Sequence, residues 1–133
     1  MTKMIKRKIK YDDYVLLLSR IFISGIFLMA GINKIMNPSL IKDYMASAGM
    51  VGVELFYYSA VIFLMAGGLF ILTGYKLEVG ALMLAMFLIP ATLIFHLDFT
   101  SGAQIISLQK NIAILGGLFA LYTVGPGKIK LGK

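Results

Sequence analysis

A small set of polar side chains stands at the borders of long apolar runs, and these are the residues with chemistry to offer. Asn33 and Lys34 close one run, Glu54 opens the next, His96 and Asp98 close a third, and Lys110 with Asn111 open a fourth. Histidine exchanges a proton near neutral pH, a lysine can hold a carbonyl or an anion, and asparagine amides donate hydrogen bonds. Donors for two carbonyls beside a proton path, beneath apolar walls, is the chemistry that a quinone headgroup asks for. With the histidine neutral, the two lysines and two carboxylates cancel, so the set can be fully paired, as burial requires. The same residues also suit a plainer role, as long side chains that snorkel to lipid headgroups or as salt bridges that tie helix ends. At the level of sequence both readings stand.

Other chemistries find no residues. There is no cysteine, which removes disulfide exchange, thiolate metal ligation and iron–sulfur clusters. A single histidine cannot furnish a bis-histidine haem. No metal-ligating, Ser/His/Asp or dinucleotide motif is present, and Gly125-Pro126-Gly127-Lys128 lacks the upstream glycine and following Ser/Thr of a phosphate loop. Arg20 stands apart, about one turn inside the first apolar run, where it is expected to snorkel or to form a structural ion pair with Glu78.

The elements that must position these residues follow from composition. The chain has 133 residues, 59% hydrophobic and 14% charged, with a mean hydropathy of +0.88. Soluble domains are about 45–50% apolar and about 25% charged, and a domain this small buries the smallest share of its surface. Its solvent must be lipid. A bilayer core needs about 20 apolar helical residues per crossing, and four runs qualify: 14–36, 53–73, 77–97 and 108–124. The expectation is an all-α integral membrane four-helix bundle that takes up residues 1–133 as one membrane domain.

Charge placement gives the orientation, because lysine and arginine favour the cytoplasmic side. Lys3, Lys6, Arg7, Lys8 and Lys10 precede the first span, Lys76 lies between the second and third, and Lys128, Lys130 and Lys133 follow the fourth. Only Lys34, Lys42 and Lys110 lie on the other side. Both termini are therefore expected inside, and the net charge of +7 reads as a membrane pattern with no nucleic-acid partner. Tyrosines, which settle at interfaces, fall near the span ends on both sides. The first span is too long for the apolar segment of a cleaved signal peptide, so it is expected to remain as an anchor. In the first outer loop, Asn37-Pro38 reads as an N-cap and first helical residue, and Gly49 as a stop. Between them Leu40, Ile41, Tyr44, Met45 and Ala48 share one helical face, opposite Lys42 and Asp43. That pattern predicts a short helix lying in the interface.

Small residues supply the packing surfaces on which membrane helices associate. The last span offers Ala113/Gly117 and Gly116/Ala120, the third Ala81/Ala85 and the second Gly67-Gly68; they read either as contacts within the bundle or as the seam of a homo-oligomer. Pro90 removes a backbone donor inside the third span, which either opens room inward of His96 or only shapes the bundle.

Three stretches resemble the DoxX family of small bacterial membrane proteins: RIFISGIFLMAGINKIMNP from Arg20 to Pro38, GGLFILTGYKLEVGALMLAMFLIPATLIFH from Gly67 to His96, and QKNIAILGGLF from Gln109 to Phe119. They run in the right order across nearly the whole chain. The resemblance implies a multi-pass protein of the bacterial inner membrane. It also implies a link to quinone-coupled oxidation, as in the subunits of archaeal thiosulfate:quinone oxidoreductase, or to a membrane complex that handles oxidative stress. Arg20, Asn33, Lys34, His96, Lys110 and Asn111 match the family's polar motif positions. One departure is Leu64, where many relatives carry a glutamate three residues before the glycine pair, so a proton-transfer step served by that acid would be missing here. The function expected is an accessory subunit of a quinone-linked oxidoreductase, whose redox centre a protein partner would hold. Quinone is the one cofactor considered. The alternatives are a non-catalytic scaffold for a larger membrane protein and, less favoured, a small transporter. No catalytic residue is assigned.

Overall fold

A computed structural model describes residues 11–95 and 100–132; the basic cluster before residue 11, together with His96, Asp98 and Lys133, lies outside them. Among the described residues there are five helices and no strand: α1 (Tyr11–Met36), α2 (Pro38–Ser47), α3 (Val53–Thr73), α4 (Leu77–Phe95) and α5 (Gly102–Val124). By length and composition α1, α3 and α5 can each cross a membrane, and α4 is a shorter apolar helix. At about 1.5 Å per residue, the 26 residues of α1 reach well past a hydrocarbon core about 30 Å thick. We call the end of the bundle that carries the C-terminal tail inner, and the opposite end outer.

α1 packs on α3, α3 on α4 and α4 on α5, and a lighter contact between α5 and α1 completes the bundle. The core runs through it as Phe27, Leu64, Ile71, Leu84 and Leu118. Phe22, Met29, Leu55, Ile62 and Met86 are exposed on the outside, as side chains that face lipid would be. α1 shows why its sequence docks: Asp13, Arg20, Ser24, Phe27 and Gly31 are buried, a spacing of sevens, fours and threes that keeps one stripe turned inward.

Glycine sets the closest approach. A Cβ on Gly80 of α4 would lie 2.8 Å from the Gly67 carbonyl oxygen and 2.7 Å from Phe70 Cβ, so α3 and α4 meet backbone to backbone. Gly68, one residue round the helix, instead receives Leu28 of α1. The glycine pair thus serves two neighbours, within the bundle.

Two local expectations change. The last helix begins at Gly102, six residues before the expected edge at 108, because Ser101 caps it by accepting the Gln104 N–H at 3.4 Å; a polar cap, invisible to hydropathy, sets the boundary. α2 forms with Pro38 at its start, but Asn37 does not cap it. The Asn37 amide instead donates back to the Asn33 carbonyl, at 2.9 Å, and to the Asn33 side-chain oxygen, at 3.0 Å. That carbonyl already accepts the Asn37 backbone N–H at 3.1 Å, so the amide adds a second donor at the end of α1, whereas proline leaves α2 one N–H fewer to satisfy.

Gly80→Ala is expected to destabilise the bundle by about 1–3 kcal/mol through overpacking. Gly116→Ala, at a position with nothing within 4 Å, should stay within about 0.5 kcal/mol. Thermal midpoints in one detergent compare the two, and equal midpoints would refute the close approach.

Candidate functional site

At the outer ends of the helices lies a cavity of about 420 Å³. α1 contributes Lys34, α2 covers it with Ile41, Tyr44 and Met45, and α5 contributes Asn111. The walls are α3, through Phe56, Ser59, Ala60 and Phe63, and α4, through Met86, Phe87, Pro90 and Ala91. The walls are mostly apolar, with polar groups at a few points. Lys34 is half-buried, and among the described residues no hydrogen bond or ion pair engages its ammonium. Asn111 is buried and donates to Thr92 Oγ1 at 3.0 Å; Thr92 in turn donates to the Leu88 carbonyl at 2.7 Å. Pro90 lines the cavity, so room opens on the same turn where the helix lacks a donor for the Met86 carbonyl.

The rim is latched. Lys42 of α2 pairs with Glu54 of α3 at 2.9 Å, and its ammonium sits 4.9 Å from the Tyr57 ring centre and 5.2 Å from that of Tyr58. The hydrogen bond to Glu54 holds the Lys42 pKa above the ordinary lysine value; desolvation opposes the shift, and the Glu54 charge adds to it. A raised lysine pKa means that the latch is fully formed below the unfolded lysine range and is lost only as pH rises through the folded value. Tyr57, itself buried, donates its hydroxyl to the Lys34 carbonyl, which ties the latch to the wall that carries Lys34.

Of the polar residues read from the sequence, the structure brings Lys34 and Asn111 together in one cavity. Asn33 is exposed and bonded to Asn37, Glu54 is held in the rim pair, and Lys110 is exposed. His96 and Asp98 lie outside the described residues. Sequence reasoning missed Tyr57, Thr92 and the Lys42–Glu54 pair. Tyr57 read only as an interface tyrosine, and Lys42 as solvated opposite the apolar face of α2. The position where many relatives carry glutamate is Leu64, closed in the apolar core.

The expected ion pair between Arg20 and Glu78 does not form. Glu78 is exposed, and Arg20, buried on α1, donates among the described residues to backbone carbonyls. Its Nε reaches Ile71 at 3.1 Å and its Nη2 Leu72 at 3.0 Å, while Nη1 reaches Pro126 at 2.8 Å and also Ile129. The reason is supply: the last carbonyls of a helix lack intrahelical donors and carry its negative pole, so they offer the guanidinium what a carboxylate would. Asp13, also buried, accepts the Lys128 N–H at 3.1 Å. The C-terminal tail, whose lysines were expected on the cytoplasmic side, is pinned across the inner end.

A bundle of apolar helices around a cavity at one end defines a multi-pass helical membrane protein. The model of the DoxX family matches residues 15–97, and the chain belongs to that family. It is 33% identical over 125 residues to the inner membrane protein YqjF of Escherichia coli K12, with 93% of this chain and 94% of that protein covered. It is 29% identical over 136 residues to inner membrane protein YphA of the same organism, with 94% and 97% covered. The inner membrane is accordingly its location. No solved structure gives a significant match.

Arg20→Ala is expected to cost about 3–5 kcal/mol, as removal of one partner from a buried charged network does, and to speed trypsin cleavage after Lys128 and Lys130. Arg20→Lys should recover little, because a compact ammonium cannot reproduce the planar fork. Glu78→Gln should leave thermal midpoint and cleavage rate unchanged; a loss there would restore the ion pair.

Proposed function

We propose that the chain is an accessory subunit of a quinone-linked oxidoreductase or oxidative-stress complex of the inner membrane, and that its outer cavity holds the quinone headgroup. The observation that supports this is the half-buried Lys34 ammonium, unengaged by any described residue, in an apolar cavity of about 420 Å³. That volume is within the usual range of about 300–1,000 Å³ for small-molecule sites. The residues present fit such a headgroup. Lys34 would hold one carbonyl, and the Asn111 amide, oriented by Thr92, would donate toward the other. His96 would be the group that exchanges protons. A bound quinone would supply two-electron acceptance, and the redox centre that feeds it would sit in a partner protein.

A second reading, a scaffold that docks a larger membrane protein, is favoured by α5. Ala113, Gly116 and Ala120 are all exposed there, with nothing within 4 Å of Gly116, and small residues of this kind let helices approach closely. A partner that co-purifies with the native chain and is lost from Gly116→Leu would support it.

The quinone reading is tested by extracting lipid from protein purified in native-membrane particles. Quinone should be enriched over phospholipid relative to bulk membrane, and Lys34→Met and Asn111→Leu should each lose most of that enrichment. A ratio equal to bulk membrane in the unaltered protein would overturn it.

A further inference from the structure

We infer that the outer cavity is reached sideways from the lipid, between α3 and α4, and that α2 is a latched cover that closes it to water. Its ligand is therefore an amphiphile whose head lies in the cavity and whose apolar tail remains in the bilayer. This rests on the reading of the cavity as a ligand site, but not on the ligand being a quinone.

The helices themselves make the opening. α3 and α4 touch backbone to backbone at Gly67 and Gly80. Further out the same two helices both line the cavity, α3 with Ser59 and Phe63, α4 with Pro90 and Ala91. The pair is thus in closest contact at its inner half and borders the cavity at its outer half. Phe56 and Met86 line the cavity and are also 48% and 63% exposed on the outside of the bundle. Side chains that border both spaces mark where the spaces join; Tyr44 of α2, which also lines the cavity and is 50% exposed, does so at the cover, and the α3–α4 side is set apart by a purely apolar pair, as a lipid-facing mouth requires.

The side toward water is shut differently. Met45 of α2 is only 6% exposed and lies over the cavity with Ile41. The Lys42–Glu54 pair, braced by the Tyr57 and Tyr58 rings, holds the cover down. The connection from α2 to α3 carries Gly49 and Gly52, both at positive φ (83° and 73°) with nothing within 4 Å of either. Glycine adopts that conformation at no steric cost, so the turn from the cover into α3 is not braced by packed side chains at these two positions. Volume completes the argument. About 420 Å³ is near the low end of ligand pockets: enough for a ring or headgroup, too little for a long chain as well. The tail must leave through the mouth, and the mouth faces lipid.

The chain has no tryptophan, so a single introduced indole reports cleanly. Phe87→Trp and, separately, Phe63→Trp place it in the cavity wall; Phe27→Trp, in the core, is the control. In bilayer discs of phospholipid brominated on its acyl chains, the two wall reporters should lose most of their emission and the core reporter little. Acrylamide in the water should quench the wall reporters weakly, and strongly once Glu54→Gln releases the cover. Wall reporters quenched by acrylamide but spared by brominated chains would overturn lateral access. No change in acrylamide quenching on Glu54→Gln would overturn the cover. Neither quencher is a quinone, so failure to find quinone in the purified protein leaves this result standing, and a failure here leaves the quinone measurement untouched.

Discussion

In hydrocarbon a helix must find a donor for each carbonyl at its end, because water is not there to supply one. The pairing of α1 with α3 is organised around that constraint. At the inner end of α3 every one of the last four carbonyls is satisfied. Phe70 takes the Gly74 N–H and Thr73 the Leu131 N–H, while Ile71 and Leu72 take two donors of Arg20 from α1. At the outer end the service is returned: Tyr57 of α3 donates to the Lys34 carbonyl in the last turn of α1. Two antiparallel helices cap one another through side chains buried between them. Gly74 shows how tightly this is built, since its φ of 77° favours glycine and a Cβ there would lie 3.2 Å from the Arg20 Cζ.

The guanidinium does more than cap. Its remaining donors reach Pro126 and Ile129, and Asp13 receives the Lys128 N–H, so the inner closure of the bundle includes the tail. Five N–H groups in a rigid fork make this feasible for arginine and not for lysine. A charge with no carboxylate is tolerable there because helix-end carbonyls supply negative potential from fixed positions. α1, α3 and the tail are locked at the inner end, and α4 is held to α3 by the Gly67–Gly80 contact. The cavity lies beyond that contact, at the outer ends of the helices.

What could be read from the sequence was depth, and what could not was direction around each helix. The span expected at 53–73 is α3 to the residue, because hydropathy measures the solvent and the solvent here is lipid. Lys34, Glu54 and Asn111 of the expected polar set lie at the outer end, yet adjacent residues on a helix point about 100° apart. Lys34 therefore turns into the cavity while Asn33 turns out, and Asn111 turns in while Lys110 turns out. Arg20 read as structural, which it is, but its partners were sought among carboxylates; no pattern of residue types reveals a backbone carbonyl as the acceptor. The cap at Ser101 escaped for the related reason that a hydroxyl is too small a signal within a mixed stretch. The resemblance to DoxX proteins joined stretches whose individual patterns were modest, and it marked Arg20 as a motif position before any contact was known.

The two ends of the molecule thus follow opposite rules. At the inner end polar groups are numerous, buried and matched: Arg20 with four carbonyls and Asp13 with a backbone N–H. Such a network resists change, since loss of one partner leaves others stranded in hydrocarbon. At the outer end the side chain of Lys34 is half-buried and meets no partner among the described residues, although its own carbonyl is capped by Tyr57. A partly desolvated ammonium that no described residue pairs is unfavourable unless something else spends time there. Tyr57 joins the two rules in one residue, with its hydroxyl completing the end of α1 and its ring face supporting the Lys42 latch. A change that unlatched α2 would therefore be felt first at the backbone of Lys34, the residue whose side chain no described residue engages.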